Sequence, residues 1–311
     1  MNTKNLIYVL TVAEERSFSN AAKLLYISQP SLSQSISAIE KELGTPIFDR
    51  SSIPLSLTYA GEKYLKAATE ILAIERKLNL EIEDILGNRS GRLVIGLSSL
   101  RCASIIPHIF PIFLKEFPGV ELILKEGSNE KLTEMVVEGK ADLALATPLD
   151  NREMDSVPLL KDNVLLAVYH DHPLIQNLSG QKSGAQNEFQ QIDLTVFKED
   201  PFILLSPENH VRNISDQIFT DYHIVPRIIL ESASIELAHR LVTQGMGLTF
   251  ILESMINLYG LEEQSRYFQF TTGAYTHNLN ICYRKDSYLS KIMLNFIRIA
   301  QTQTQQQFTA K

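Results

Sequence analysis

The sequence predicts an α/β chain in three parts: a small helix-turn-helix module with a two-stranded wing, a long linking helix, and a domain of two α/β lobes. Three observations carry that prediction. Residues 17–44 have the pattern of two short helices joined by a tight turn. Residues 59–86 form one unbroken helical pattern with apolar residues seven positions apart. From residue 93 onward, short apolar runs alternate with amphipathic stretches, as βαβ units around a parallel sheet require. A chain of 311 residues also exceeds what one core comfortably holds.

The opening run LIYVLTVAEE predicts a first helix. A second helix begins with Ser19 as its N-cap and carries Ala21, Ala22, Leu24 and Leu25, the paired alanines allowing a neighbouring helix to approach closely. Tyr26 and Ile27 make the turn, Ser28 caps the third helix, and Pro30 falls in its first turn, where a missing N–H costs nothing. In that helix Leu32, Ile36, Ile39 and Leu43 form a narrow apolar stripe, with Pro30, Ser33, Gln34, Ser37 and Lys41 on the opposite side. Such a helix packs by one face and offers short polar side chains by the other, which is what reading the major groove of DNA demands. An amphipathic hairpin in an ordinary helical domain has the same pattern, so the neighbouring residues decide between the two. Pro46, Pro54 and the β-prone ends of residues 45–58 predict the wing, with Arg50 as its phosphate contact. Thr58 caps a helix running from about Tyr59 to Leu86. Tyr64, Ile71, Leu78 and Ile85 recur along it every seven residues, flanked by Leu65, Leu72 and Leu86, with Ala68 and Ile82 beside them. This seam predicts self-pairing; packing against its own domain is the competing reading.

The neighbouring residues bear a resemblance. Asn5 to Gly61 resembles the N-terminal domain of LysR-type transcriptional regulators. The family's Ser-Phe-Ser-x-Ala-Ala-x-x-Leu run stands at Ser17–Leu25 and its Ser-Gln-Pro-x-Leu-Ser at Ser28–Ser33. Its Leu-Glu-x-x-Leu-Gly-x-x-Leu-Phe-x-Arg run matches Ile39–Arg50, and Leu-Thr-x-Ala-Gly matches Leu57–Gly61. The similarity continues more loosely to about residue 300. It implies a cytoplasmic regulator, not an enzyme and without cofactor or metal. Double-stranded promoter DNA would be bound through Ser28, Gln29, Pro30, Ser31, Ser33, Gln34, Ser37 and Arg50. It also implies a homo-oligomer, dimer or tetramer, paired through the linking helix, with RNA polymerase and a small-molecule effector as partners. Implied boundaries are residues 1–58 for the DNA-binding domain, 59–88 for the linker and 92–302 for a periplasmic-binding-protein-like effector domain. Its first lobe would comprise residues 92–163 and 269–302, its second 164–268. The chain departs from the family at Gln34, Ser37 and Ser51–Pro54, where Arg or Lys is frequent, and at Leu252, where Pro is usual.

Composition agrees with this class without naming it. Apolar content of 44% and charged content of 21% are those of a soluble globular protein. No apolar run reaches membrane-spanning length, and the N-terminus lacks a small-residue cleavage site, which predicts neither membrane insertion nor secretion. Only Cys102 and Cys282 occur, which predicts a reducing compartment rather than a disulfide framework. The net charge is −7, and in the first 58 residues Lys4, Arg16, Lys23, Lys41 and Arg50 balance Glu14, Glu15, Glu40, Glu42 and Asp49. That balance predicts few phosphate contacts and a modest affinity per subunit, raised by oligomerisation.

In the second half, Gly87–Gly91 reads as a hinge, residues 93–98 as a buried strand, and Ile105–Phe117 as a helix. Strand 120–125, helix 131–138 and strand 141–147 complete a βαβαβ unit, and residues 164–170 open a second. PFILLS, IIL, GLTFIL and LNICYR follow as strands, residues 290–301 as a closing helix, and 176–191 as a polar surface insertion. Ligands of open α/β sheets bind beyond the carboxyl ends of strands. Ser98, Ser99, Thr147, Ser206 and Ser232 end strands, and the family's equivalents line the cleft; alone, each is also an ordinary capping or turn hydroxyl. Arg101 would hold a carboxylate bidentately or point to solvent, which makes a small anion the expected effector.

Other motifs compete. Cys102 near a helix start suggests a lowered thiol pKa and redox sensing, against a small buried residue. His170 and His172 suggest a metal, but two histidines one residue apart do not make a site. Gly245-Met246-Gly247 lacks the third glycine of a dinucleotide fingerprint. Two other functions follow from the α/β lobes alone. A solute-binding receptor without a DNA role requires a signal peptide or lipid anchor and no helix-turn-helix. An α/β enzyme requires a nucleophile elbow, P-loop, full dinucleotide motif or metal cluster, none of which is evident.

Overall fold

The computed structural model describes residues 2–87, 90–147, 152–176, 189–258, 264–285 and 287–308. The expected insertion at 176–191 falls mostly outside them. The chain forms two compact units: residues 1–88 with the short stretches 138–140 and 286–291, and the remainder of 89–311.

The first unit contains α1 (Thr3–Glu15), α2 (Phe18–Leu24), α3 (Gln29–Leu43), β1 (Phe48–Asp49), β2 (Ser56–Leu57) and α4 (Tyr59–Ile85). Ser17, not Ser19, caps α2, its hydroxyl accepting from the Asn20 N–H at 3.3 Å. The helix starts early because Phe18 already belongs to it, packing edge-on against Phe48 with ring centroids 5.7 Å apart. Tyr26 takes a left-handed turn at φ 55°, and Ser28 caps α3 by accepting from the Ser31 N–H at 3.3 Å. Leu32, Ile36 and Ile39 enter a core shared with Val9, Val12, Ala21 and Ala22. Leu43 does not, and is 46% exposed: it is the last residue of α3, directly before the left-handed Gly44, one turn past the core. β1 and β2 pair antiparallel as the wing. The start of α4 crosses the wing base so closely that a Cβ on Gly61 would lie 2.1 Å from the Ile47 carbonyl oxygen, which explains the glycine there.

Thr58 caps α4 as expected, accepting from the Gly61 N–H at 3.0 Å. Tyr64 and Leu65 pack on the unit's own core and Ala68 is buried, so the first heptad position serves its own domain. Beyond it Ile71, Ile74, Leu78, Ile82, Ile85 and Leu86 are all exposed. Ile74, 68% exposed, lies outside the seven-residue register yet on the same apolar stretch.

The second unit opens with β3 (Ser90–Leu97), α5 (Ser99–Glu116), β4 (Gly119–Glu126), α6 (Asn129–Val137) and β5 (Leu143–Ala146). β3 pairs in parallel with both β4 and β5, as βαβαβ connectivity requires. Two expectations change here. Ser90 and Gly91 are strand residues paired with Gly119 and Val120, not hinge. The first helix begins at Ser99 rather than Ile105, because its first turns bury the polar side chains of Arg101 and Ser104, which interrupt the apolar stripe that marks a helix in sequence.

Next comes β6 (Met154–Tyr169), a 16-residue strand, then α7 (Pro173–Gln176), β7 (Gln191–Ile192), β8 (Pro201–Leu205) and α8 (His210–Asp221). β9 (Arg227–Ser232), α9 (Ile235–Thr243), β10 (Thr249–Leu252), β11 (Ser265–Phe270), β12 (Thr276–Arg284) and α10 (Lys291–Phe308) complete the unit. β11 is a strand that the sequence pattern does not announce. The sheet order is β4-β3-β5-β12-β6-β11-β7, with β10 also on β6. β6 changes partners midway: Met154–Asn163 pairs with β12, whereas residues from Val164 pair with β10 and β11. β8 and β9 pair in parallel, and Phe202 bridges to Leu248 ahead of β10. A Cβ on Gly247 would meet the Pro201 carbonyl oxygen at 2.6 Å, so the Gly-x-Gly serves strand packing. Phe202, Phe219, Phe250 and Phe270 centre the core of this half.

Candidate nucleic-acid interface and effector cleft

Burial of Leu32, Ile36 and Ile39 turns the other side of α3 outward. Ser28, Gln29, Pro30, Ser31, Gln34 and Ser37 are exposed there and Ser33 is half-buried. Arg50 lies beside this face but is engaged. Its Nη2 donates to Glu40 Oε2 at 3.0 Å and to Ser37 Oγ at 3.2 Å, and its guanidinium sits 5.2 Å from the Phe18 ring centre. Glu40 Oε1 in turn accepts from the Ile47 and Phe48 N–H groups at 2.9 and 3.2 Å. Arg50 therefore brackets the wing to α3, and its side chain remains 45% exposed.

The second set of candidates lies at strand ends. Ser98 precedes α5 and makes no side-chain capping bond, leaving its hydroxyl and the helix N–H groups as donors. The Ser99 side chain lies outside the described residues. Thr147 follows β5 and is held by Asn129: its N–H donates to Asn129 Oδ1 at 2.9 Å, and Asn129 Nδ2 donates to its carbonyl at 3.0 Å. Ser206 and Ser232 end the paired strands β8 and β9, with the Ser206 N–H donating to the Ser232 carbonyl at 2.9 Å. The Ser232 hydroxyl accepts from the Ser234 N–H at 3.0 Å, a local turn bond.

Arg101 neither faces solvent nor stands open for a carboxylate ligand. It is 2% exposed, and its Nη1 donates to Asp162 Oδ2 at 3.0 Å. Asp162 also accepts from the Ser254 hydroxyl at 2.6 Å and from the Ser254 N–H at 3.0 Å. Arg101 lies within 3.1 Å of His277 Nδ1 through Nη2, and His277 Nε2 lies 3.2 Å from Thr147 Oγ1. Across from it, the His210 ring at the start of α8 packs edge-on, with centroids 5.2 Å apart. Burial, then the Arg101 cation, then His210 push the His277 pKa down to about 3, so its ring is neutral. Burial also holds His210 below the ordinary histidine value, with Glu130 acting in the opposite sense. His277 thus links Arg101 and Thr147 to the start of α8. Sequence reasoning missed His277, His210, Asn129, Asp162 and Ser254, which no local motif links.

The competing motifs resolve locally. Cys102 is half-exposed rather than buried, and burial together with the Glu126 carboxylate raises its thiol pKa, opposite to what thiolate activation needs. His170 pairs with Asp171 at 3.0 Å and His172 with Asp200 at 3.1 Å. Among the described residues, no group of three or more His, Cys, Asp or Glu is placed to hold a metal ion.

Two family descriptions match. "Bacterial regulatory helix-turn-helix protein, lysR family" covers residues 3–62, and "LysR substrate binding domain" covers residues 86–305. An uncharacterized HTH-type transcriptional regulator of Bacillus subtilis, YcgK, is 30% identical over 257 residues, covering 80% of this chain and 79% of that protein. The HTH-type transcriptional regulator BsdA of the same organism is 26% identical and covers 96% of this chain and 99% of its own. Among solved structures, a full-length OxyR variant from Pseudomonas aeruginosa superposes with a TM-score of 0.73 at 21% identity, covering 98% of this chain and 95% of that one. Full-length CbnR, solved in complex with its target DNA, gives a TM-score of 0.60 at 18% identity, covering 97% and 100% of the two chains. At these identities the structural matches establish the fold.

Proposed function

The chain belongs to the LysR family and is a DNA-binding transcriptional regulator with a substrate-binding domain, and from that premise we propose how its residues divide the work. The outward face of α3 enters the major groove, where Gln29, Ser33 and Gln34 read base edges. Ser28, Pro30, Ser31, Ser37 and Arg50 set its position against the phosphates. The exposed α4 residues from Ile71 to Ile85 pair with those of a second copy, and dimers associate further into a tetramer. A small anionic effector binds where Ser98, Ser99, Thr147, Ser206 and Ser232 end their strands, and Arg101 supports that site from behind. Binding shifts the orientation of the DNA-binding modules to the extent that the effector prefers one state. Such a regulator works in the cytoplasm and passes its signal to RNA polymerase. No helix among the described residues is long and apolar enough to cross a membrane.

The observation that carries the DNA-reading assignment is α3 itself: a capped helix with a buried apolar stripe and an opposite face on which Gln29, Ser31, Gln34 and Ser37 are exposed and Ser33 is half-buried. A duplex selected from a random pool by the full chain supplies the probe. Gln29→Ala with Gln34→Ala is expected to weaken binding by about 1–3 kcal/mol for each base-reading side chain removed, and to relax preference at those positions. Fluorescence anisotropy on matched and mismatched duplexes measures this. Intact affinity and preference in the double variant would place the recognition surface elsewhere.

A further inference from the structure

The polar groups around His277 specify more than a location. An arginine side chain has only donors, so His277 Nδ1, 3.1 Å from Arg101 Nη2, is an acceptor. The neutral ring then carries its proton on Nε2 and donates it to Thr147 Oγ1 at 3.2 Å. The Thr147 hydroxyl thereby accepts from the ring, and its own proton stays available for donation to a ligand. Ser98, free of a capping bond, adds a donor at the start of α5. The buried Arg101–Asp162 pair thus acts at a distance, by fixing the His277 tautomer that donates to Thr147.

Resting on the reading of this cleft as the effector site, we propose that the effector is an anion taken up together with one proton, the proton lodging on His210 and the anion bridging His210 and the Thr147 hydroxyl. The balance is simple: neutral His210, one proton from solvent and one carboxylate become an imidazolium–carboxylate pair. The groups facing His210 are few. Burial and the positive end of α8 disfavour the charged ring and Glu130 of α6 favours it, while the Arg101 cation of α5 acts on the intervening His277 of β12. Half-burial at that helix start keeps the unliganded ring neutral near neutral pH, where its pKa lies below the ordinary value. An anion against it reverses the balance. Affinity for the anion therefore rises as pH falls from the liganded to the unliganded midpoint, by about tenfold per pH unit, and is flat outside that window. His277, at about 3, does not titrate within it.

The test is a histidine-resolved NMR pH titration of the full chain carrying 13Cε1-labelled histidine. Sodium acetate is the probe against sodium chloride at equal ionic strength, and His210→Gln identifies the resonance. Expected is a His210 midpoint below the ordinary ~6.5 in chloride, rising by about half a pH unit or more in acetate, with the rise diminished in Thr147→Val. If acetate perturbs His277 but leaves the His210 midpoint unmoved, an anion enters the cleft without a proton, and the proposal falls while the cleft reading stands. If neither resonance responds, both fall.

Discussion

Replacing Asp162 with alanine is expected to destabilise the second unit by about 3–5 kcal/mol, because it leaves the buried Arg101 guanidinium without its counter-charge. Both side chains are nearly fully buried, at 3% and 2% exposure, so solvent cannot substitute for the missing carboxylate. The same change removes the acceptor of the Ser254 hydroxyl and N–H. Asp162→Asn keeps an acceptor for Ser254 and should cost less. Adding Arg101→Met to Asp162→Ala should recover much of the loss, since a buried pair exchanged for apolar groups is often near neutral. Urea unfolding of the three variants gives the ordering. A loss under about 1 kcal/mol in Asp162→Ala would mean that Arg101 finds water or another partner, and that the pair does not organise the cleft.

Ile71→Asp with Leu78→Asp is expected to abolish self-association at micromolar concentration. Both residues are exposed in the single chain, at 39% and 55%, so the substitutions cost little within one copy. Across a paired seam each carboxylate would meet apolar side chains and its own symmetry mate, at about 1–3 kcal/mol or more per unsatisfied group. Sedimentation velocity separates the outcomes. A dimer of unchanged strength with a folded circular-dichroism spectrum would assign the seam to a surface without a partner.

The legible parts of this fold are those whose causes are local. The Leu32, Ile36 and Ile39 stripe of α3, the Ser28 cap, Pro30 in the first turn and the Thr58 cap are each specified within a few residues, and the structure places them as the pattern requires, whereas Leu43 at the helix end stays exposed. Ser19 is not the cap of α2 because Phe18 is drawn into the helix by packing against Phe48, 30 residues away. Tyr64 matches the heptad register but packs on its own domain, a choice that spacing cannot express. The strand-end residues of the second unit show the same divide. Strand ends put Ser98 and Thr147 next to each other, as β3 and β5 pair in parallel. The partners that decide their chemistry are remote: Arg101 meets Asp162 across 61 residues and His277 across 176. Arg101 therefore reads as a ligand anchor in sequence and is a buried support in space.

Paired α4 helices are expected to present two copies of α3 to a twofold DNA site. A hydroxyl-radical footprint of the full chain on its selected duplex resolves the arrangement. Expected are two protected segments whose centres lie about one helical turn, roughly 10–10.5 base pairs, or a multiple apart, both abolished together in the Ile71→Asp, Leu78→Asp variant at concentrations that saturate the wild type. A single unpaired segment, or two segments that survive that variant at unchanged affinity, would contradict it.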